Sequence, residues 1–198
     1  MTDLFREPSD ATPLEVEERE GLLQTWITSR ADLNVAEQAN IIDGAAWARG
    51  LRRRGAADLL TPEFAMRLHA RMFGDVWRWA GTYRTTARNI GIDAYRIGTE
   101  VAHLMGDVRY WVEHRTYPAD EIAARFHHRL VAIHPFPNGN GRHSRMMADI
   151  LIERLGGTPF SWGGGSLTDT GELRERYVTA LRAADNYDIR LLLAFVRA

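Results

Sequence analysis

Residues 134–145, HPFPNGNGRHSR, interrupt two segments whose apolar residues recur at helical spacing. The two prolines cannot continue the incoming helix, while Gly139 and Gly141 permit backbone angles that a side chain would forbid. The chain must therefore turn sharply and begin a new helix near Asn140. Helices on both sides of such a turn indicate a helical bundle.

Apolar spacing of three or four residues predicts helices through most of the chain. Thr61-Pro62 is typical of a helix start, and Asn34 with Glu37 has the spacing of a capping box. Tyr117-Pro118 ends one helix before the next begins. Helices are predicted at about 15–30, 34–55, 61–73, 101–116, 119–133, 140–155, 170–184 and 187–197.

The segment at 76–98 has a different pattern. It is rich in aromatic and β-branched residues, contains three glycines, and shows alternation at Ile90 and Ile92. A short hairpin is predicted at 87–97. The expected fold is all-α: a single helical bundle at 15–198 with a small β-hairpin, preceded by a flexible arm at 1–14.

Composition narrows the environment and the partners. A formal net charge of -1 gives no overall attraction to nucleic acid or anionic lipid, so phosphate binding would need local charge. The chain has no cysteine, which excludes disulfides and thiolate metal sites. No signal sequence or long apolar run is present. We expect a cytoplasmic protein without nucleic-acid or membrane partners.

An anion site is predicted where the loop enters its outgoing helix. The first amides of a helix lack intrahelical acceptors and point back into the loop. Arg142 and Arg145, three residues apart, share one face of that first turn. The helix dipole contributes only about 0.3 to 1 kcal/mol. Charge-assisted hydrogen bonds contribute about 1.5 to 3 kcal/mol each, so the arginines decide that a chain of phosphates fits best.

His134 stands at the other end of the loop, where it can accept a proton beside a bound phosphate. Phosphoryl and nucleotidyl transfer require such a base together with stabilisation of phosphate charge. Each feature alone has an ordinary alternative, namely a capping histidine, a glycine turn or a solvated arginine face; only the combination is unusual. His127 and His128 have no sensible zinc-ligand spacing with His134 and are read as packing or surface residues.

These residues resemble the signature of Fic-domain proteins, His-x-Phe-x-(Asp/Glu)-Gly-Asn-Gly-Arg-x-x-Arg, with every specified position but one matching. AGTYR at 80–84 is similar to the segment before the family's flap, and the likeness extends over about 17–197. Within the family, the segments NVAEQANI and WRWAGTYR most resemble the proteins called mobile mystery protein B.

The resemblance implies transfer of AMP from ATP to a Ser, Thr or Tyr hydroxyl of a target protein. His134 would be the general base. The phosphate-binding residues would be Gly139, Asn140, Gly141, Arg142 and Arg145, the last holding the γ-phosphate. Phe136 would anchor the loop, and the flap at 87–97 would align the target by strand addition, with Ile90 and Ile92 as contacts.

One position departs from the signature. Asn138 stands where the family has a carboxylate ligand for Mg²⁺, and an amide is a neutral ligand. Three outcomes follow: a slow AMP transferase using Mg²⁺ or Mn²⁺, an enzyme transferring another phosphate-containing group, or a nucleotide- or partner-binding module without chemistry.

The resemblance also suggests control of the activity. VEEREG places Val16, Glu20 and Gly21 at positions of the family's inhibitory helix; Glu20 and Gly21 match, whereas Val16 stands where the family has Ser or Thr. The family's glutamate pairs with the arginine equivalent to Arg145. The ordinary alternative is a solvated acidic helix at 15–30. An antitoxin-like partner is possible in this family. Duplex DNA binding has a single hint, Arg52-Arg53-Arg54, which more simply ends a helix.

Overall fold

The computed structural model describes residues 14–51, 55–164 and 170–198, and most of this part of the chain is helical. The predicted all-α class is confirmed. The helices are α1 Val16–Arg19, α2 Arg30–Gly50, α3 Ala56–Leu59, α4 Pro62–Phe73, α5 Ile97–His114, α6 Ala119–Ile133, α7 Asn140–Arg154, α8 Thr170–Asp185 and α9 Arg190–Arg197, with a short 3-10 helix at Ala94–Arg96. Within these ranges, no helix has the length and apolar character to cross a membrane.

The bundle is built around α6 and α7, which pack against each other on either side of the loop at 134–139. α5 packs on α6, α2 on α4, and α8 on α9. The core between them is apolar, and its largest fully buried side chains include Trp77, Phe64, Phe73, Phe126 and Phe136. Burying such side chains stabilises the fold by about 1.5 to 3 kcal/mol each. The loop therefore lies between two helices that pack on each other, with Phe136 in the core.

Helix caps explain where two of the helices begin. Thr61 Oγ1 accepts a hydrogen bond from the Phe64 amide at 3.1 Å, as Thr61-Pro62 predicted for α4. The predicted start of α2 at Asn34 is wrong. α2 begins at Arg30, where Ser29 and Asp32 form a capping box, so Glu37 lies inside the helix and not at its cap.

The predicted helix at 15–30 ends after one turn. α1 is only four residues long, and the chain then pairs with the segment after α4: the Leu23 amide donates to the Val76 carbonyl and the Arg78 amide to the Gly21 carbonyl. A Cβ at Gly21 would lie 2.7 Å from the Trp79 ring, so this close approach needs glycine. Pairing with a distant segment has displaced the helical conformation.

The predicted hairpin at 87–97 is also wrong. This segment is fully described and contains no paired strands; it runs as an irregular loop into the 3-10 helix. The Arg84 guanidinium donates hydrogen bonds to the carbonyls of Thr86 and Ile92, at 2.8 and 2.5 Å. A side chain thus supplies donors that strand pairing would otherwise supply. Because residues 94–97 belong to helices, we use the name flap for the irregular segment at 85–93.

Two segments named in the sequence analysis lie outside the described residues. They are the arm at 1–14, except for the buried Leu14, and the triplet Arg52-Arg53-Arg54.

Candidate active site

His134 caps the C-terminal end of α6 in a left-handed backbone conformation, with φ of 55°. Its side chain is buried, and burial, followed by the nearby positive charge of Arg84, lowers the pKa of the imidazole to about 4. The ring is therefore neutral at pH 7. A neutral imidazole is the form that can take up a proton.

The loop after His134 is closed by the side chain of Asn140. Its Nδ2 donates to the Phe136 carbonyl at 2.8 Å, and its Oδ1 accepts from the Phe136 amide at 2.9 Å. Both residues are buried. Because its amide group is used in this way, Asn140 can contribute to anion binding only through its backbone N–H.

A buried histidine on α4 holds the middle of the loop. His69 Nδ1 lies 3.0 Å from the Gly81 amide, which can only donate, so Nε2 carries the proton and donates to the Asn138 carbonyl at 3.0 Å. The ring also stacks on Phe136 with centroids 3.8 Å apart. Burial holds the pKa of His69 well below its ordinary value, so this tautomer stays neutral.

α7 begins directly after the loop, with Gly139 at its N-cap and φ of 77°. A Cβ there would lie 2.7 Å from the ring of Phe73, so both the backbone angle and the packing require glycine. The following amides, of Asn140 and Gly141, open into the cavity, which both residues line. They form the amide half of the predicted anion site.

Arg142 is held by a carboxylate from α2. Its Nη1 donates to Glu37 Oε2 at 2.6 Å, and the other carboxylate oxygen accepts from Trp77 Nε1 at 2.8 Å. The Glu37 side chain is 6% exposed, whereas that of Arg142 is 34% exposed. The pair therefore lies with its carboxylate inside the protein and its guanidinium at the cavity wall.

Arg145 is held differently. Its Nε donates to the Gly141 carbonyl at 3.1 Å, and its guanidinium lies 5.7 Å from the centre of the Tyr177 ring on α8. The Tyr177 hydroxyl lies 2.9 Å from Nε2 of the buried His127. Cation–π contact and the carbonyl keep the arginine beside the amides of α7 without a carboxylate partner in these contacts.

The flap lies directly on His134. Arg84 Nε donates to the His134 carbonyl at 2.7 Å, and the Ile92 amide to the Ile133 carbonyl at 3.4 Å. Gly91 has φ of 93°, and a Cβ there would lie 2.6 Å from the Cβ of His134. Of the two predicted target contacts, Ile90 is exposed at the cavity, whereas Ile92 packs against the core.

Glu20 is exposed just after α1, and it does not line the cavity that contains Arg145. The neighbouring carboxylates of Glu15 and Glu18 contact Arg88 of the flap instead. Among the described contacts of Arg142 and Arg145, the carboxylate that binds an arginine belongs to Glu37. The regulatory role of Glu20 stays a prediction, and Glu37 is the better-placed residue.

Asn138 does not fit a divalent cation in this conformation. Its Oδ1 accepts from the Gly139 amide at 2.6 Å and lies 3.4 Å from Nη2 of Arg142, so two donors already face the oxygen that would bind a metal. The described residues contain no group of three or more His, Cys, Asp or Glu side chains placed to hold a metal ion.

These groups share one open cavity of about 980 Å³. His134 lies at one side of it, the α7 amides with Arg142 and Arg145 at another, and Ile90 with Gly91 at the rim. α8 supplies the remaining wall, including Tyr177. This volume lies within the range of small-molecule binding sites.

Several residues that shape the site had no sequence-based assignment. Arg84 lies within AGTYR but its side-chain role was not foreseen, and His69 lacks a motif of its own. Glu37 was read as a capping residue. A buried glutamate within an apolar helix face is the one signal that could have identified it, because an unpaired charge is rarely buried.

The fold and the site define a helical protein with a glycine- and arginine-containing loop at a helix N-terminus, next to a buried neutral histidine. Residues 59–152 match the model of the Fic/DOC family. This part of the chain is a Fic/DOC family domain.

Curated relatives are named protein adenylyltransferase Fic. The relative from Drosophila grimshawi is 30% identical over 142 residues, which cover 69% of this chain and 28% of the relative. That from Aedes aegypti is 27% identical over 143 residues, which cover 70% and 27% respectively. The chain thus spans under a third of the length of these relatives.

Solved structures share the fold. BepC from Bartonella tribocorum, a translocated effector crystallised with AMPPNP, has a TM-score of 0.66 at 19% identity, over 92% of this chain and 96% of that one. Fic-1 from C. elegans has a TM-score of 0.61 at 23% identity, over 91% and 56%.

Proposed function

We propose that this chain is a protein adenylyltransferase, which transfers AMP from ATP to a Ser, Thr or Tyr hydroxyl of a target protein. One observation carries the proposal: a neutral, buried His134 lines the same cavity as the first amides of α7 and both loop arginines. The names of the curated relatives support it.

The reaction requires one proton transfer and one displacement at phosphorus. The target hydroxyl oxygen attacks the α-phosphorus and forms the new P–O bond, while the bond from that phosphorus to the bridging oxygen breaks. Pyrophosphate leaves with the electron pair. His134 accepts the hydroxyl proton, a role that suits an imidazole kept neutral by burial.

The α7 amides and the arginines stabilise phosphate charge. We assign the amides of Asn140 and Gly141 to the phosphates nearest the helix, and Arg145 to the γ-phosphate. Arg142 joins them when its guanidinium turns from Glu37 toward the ligand. Charge-assisted hydrogen bonds of this kind contribute about 1.5 to 3 kcal/mol each.

The flap is the proposed docking edge for the target. Ile90 is 44% exposed, and residues 87–91 make no backbone-to-backbone hydrogen bond within the described part of the chain, so an extended segment could add to them. Ile92 would act indirectly, by fixing the flap to α6 through its amide. A cytoplasmic location, an antitoxin-like partner and membership of the mobile mystery protein B subgroup stay predictions.

The ion pair between Glu37 and Arg142 would restrain the proposed activity. While it binds Arg142, one of the two phosphate-binding arginines is occupied, and a nucleotide must compete with a buried carboxylate. Glu37→Gln keeps an acceptor for Trp77 but removes the competing charge. We expect Glu37→Gln to increase product formation and Glu20→Gly to leave it unchanged; the reverse pattern would assign the restraint to Glu20.

A second function is favoured by Asn138 and by the same Glu37 contact. The chain would then bind a nucleotide or a partner without chemistry. That reading expects ATP binding by calorimetry that requires Arg145, and no covalent product with any metal. A different covalent mass would instead indicate transfer of another phosphate-containing group.

The test is intact-mass spectrometry of the purified chain after incubation with ATP and Mg²⁺, Mn²⁺ or EDTA. Self-modification is expected as the added mass of AMP in wild type, increased in Glu37→Gln and absent in His134→Ala. The EDTA arm determines whether a metal is needed despite Asn138.

His128→Ala is the matched control, because His128 is a second histidine that lines the cavity but lies on α6 away from the loop, next to Asp185. An AMP mass that survives in His134→Ala would exclude His134 as the base. If no variant gains the mass of AMP while ATP binding is intact, the adenylyltransferase proposal is rejected and the chain is a binding module without chemistry.

A further inference from the structure

α2 has apolar residues on two opposite faces. Its inner face is buried and includes Leu33, Glu37, Asn40 and Gly44. Residues two positions further along lie about 200° around the helix. These residues form what we call the outer stripe, namely Val35, Ala39, Ile42 and Ala46, and all four are exposed.

The outer stripe is more than scattered surface residues. Val35 and Ile42 are 66% and 58% exposed, large fractions for β-branched apolar side chains on a regular helix. The spacing of four, three and four residues is that of a seam between two paired helices. Single exposed apolar residues need no explanation, but a continuous stripe indicates a contact surface.

Charges at the two ends of the stripe specify the partner. Three residues before Val35 stands Asp32, and three residues after Ala46 stands Arg49. Both residues therefore extend the outer stripe, with a negative charge at its N-terminal end and a positive charge at its C-terminal end. A second copy of α2, laid antiparallel, places Asp32 against Arg49 of the second copy at both ends.

The same alignment also matches volumes. Ala39 then faces Ile42 of the second copy, and Val35 faces Ala46 of the second copy. Each layer pairs a small with a large side chain, the arrangement that lets two helices approach closely. One two-fold axis thus satisfies charge and volume together, as an isologous interface requires.

The present contacts of the two charged residues are compatible with this pairing. Asp32 caps its own helix through Oδ2, which accepts from the Ser29 amide at 2.9 Å. Arg49 contacts Glu153 only through Nε, at 3.5 Å, and its side chain is 52% exposed. Both can add a contact to a second copy without losing a buried partner.

We propose that the outer stripe of α2 is the interface of an antiparallel homodimer. The seam from residue 32 to residue 49 is about 26 Å long. It has four apolar residues from each copy, so the dimer forms reversibly and depends on protein concentration.

Disulfide trapping tests the alignment directly, because the chain has no native cysteine. Val35→Cys chains mixed with Ala46→Cys chains should form a cross-linked dimer under mild oxidation. Neither variant alone should do so, because identical positions are eleven residues out of register, about 16 Å apart. A disulfide requires Cα atoms within about 7 Å.

Asn34→Cys mixed with Ala46→Cys is the matched control, because Asn34 is exposed on the same helix but off the stripe. Cross-linking of the mixture no faster than this control would overturn the proposal. Self-linking of Val35→Cys alone would also overturn it, since that product requires parallel helices.

Sedimentation equilibrium of the cysteine-free chain provides an independent measurement. Ile42→Glu should raise the dimer dissociation constant at least about tenfold, because it places a charge in the apolar seam. Leu191→Glu, at a position on α9 that is 51% exposed, should leave it unchanged. A wild type that stays monomeric at all concentrations, or equal effects of the two substitutions, would contradict a dimer through α2.

Discussion

The active-site loop and the flap line the same cavity but are held in opposite ways. The loop at 134–139 is buried and is fixed by side chains at the centre of the bundle. The flap at 85–93 is mostly exposed, and its backbone carbonyls accept hydrogen bonds from two arginines, Arg84 and Arg88. The chemistry thus rests on a rigid element, and the target contact on one with few restraints.

The largest expected effect is on the loop. Asn140→Ala removes both hydrogen bonds to Phe136 and leaves a buried N–H and C=O without partners, so unfolding free energy should fall by about 2 to 6 kcal/mol. Urea denaturation checks this. Asn89→Ala, an exposed flap asparagine, should change stability by less than about 0.5 kcal/mol. Equal effects would show that the loop and flap are equally restrained.

Removal of Arg84 should increase the mobility of the flap more than that of the loop. In Arg84→Ala the flap carbonyls regain water but the buried His134 carbonyl does not, so the expected loss is about 1.5 to 3 kcal/mol. Hydrogen exchange should accelerate at 86–93 much more than at 140–147. Uniform acceleration of both segments would show that Arg84 restrains the loop as strongly as it restrains the flap.

Acid should weaken the packing around the loop. Burial lowers the pKa of His134 and His143 to about 4, so the unfolded chain binds more protons than the folded one between pH 4 and 6.5. Their stabilisation is present above pH 6.5 and is lost as pH falls. In urea denaturation at pH 7 and pH 5, His134→Gln should lose about 1 to 2 kcal/mol less than wild type. An identical loss would mean that His134 is not buried as a neutral base.

The smallest effect is expected where the flap meets α1. Arg88→Ala removes contacts to Glu15, whose side chain is 50% exposed, and to Glu18, whose side chain is 14% exposed. Water can replace the lost guanidinium at both surface carboxylates, so stability should fall by about 1 kcal/mol. Exchange should accelerate at 15–20 and 86–90 together. Glu18→Arg combined with Arg88→Glu should recover part of the loss, whereas acceleration of the flap alone would show that the two segments are not coupled.

The same contrast explains what the sequence could predict. α4 and α7 follow from local signals, namely Thr61-Pro62 and the glycines at 139 and 141, and the structure confirms both starts. The flap and α1 could not be predicted in this way. Their conformations depend on partners far along the chain, such as Val76 for Leu23.

The residues of the candidate site also fall into a group that the sequence predicts and a group that it does not. The residues of the loop motif are placed together, as their adjacency in sequence required. Glu37 lies 105 positions from Arg142, and no local pattern connects them. The capping-box interpretation of Glu37 was wrong because spacing is identical for a cap and for an inward-facing helix position, and only packing distinguishes the two.

The bond from Trp77 to Glu37 also makes the site optically visible. The Trp77 indole stacks on Trp79, with ring centres 5.0 Å apart, so the two rings form a coupled chromophore pair. When a ligand draws Arg142 away from Glu37, the charge beside that pair changes. The near-ultraviolet circular dichroism of the chain should then report occupancy of the phosphate site without any added label.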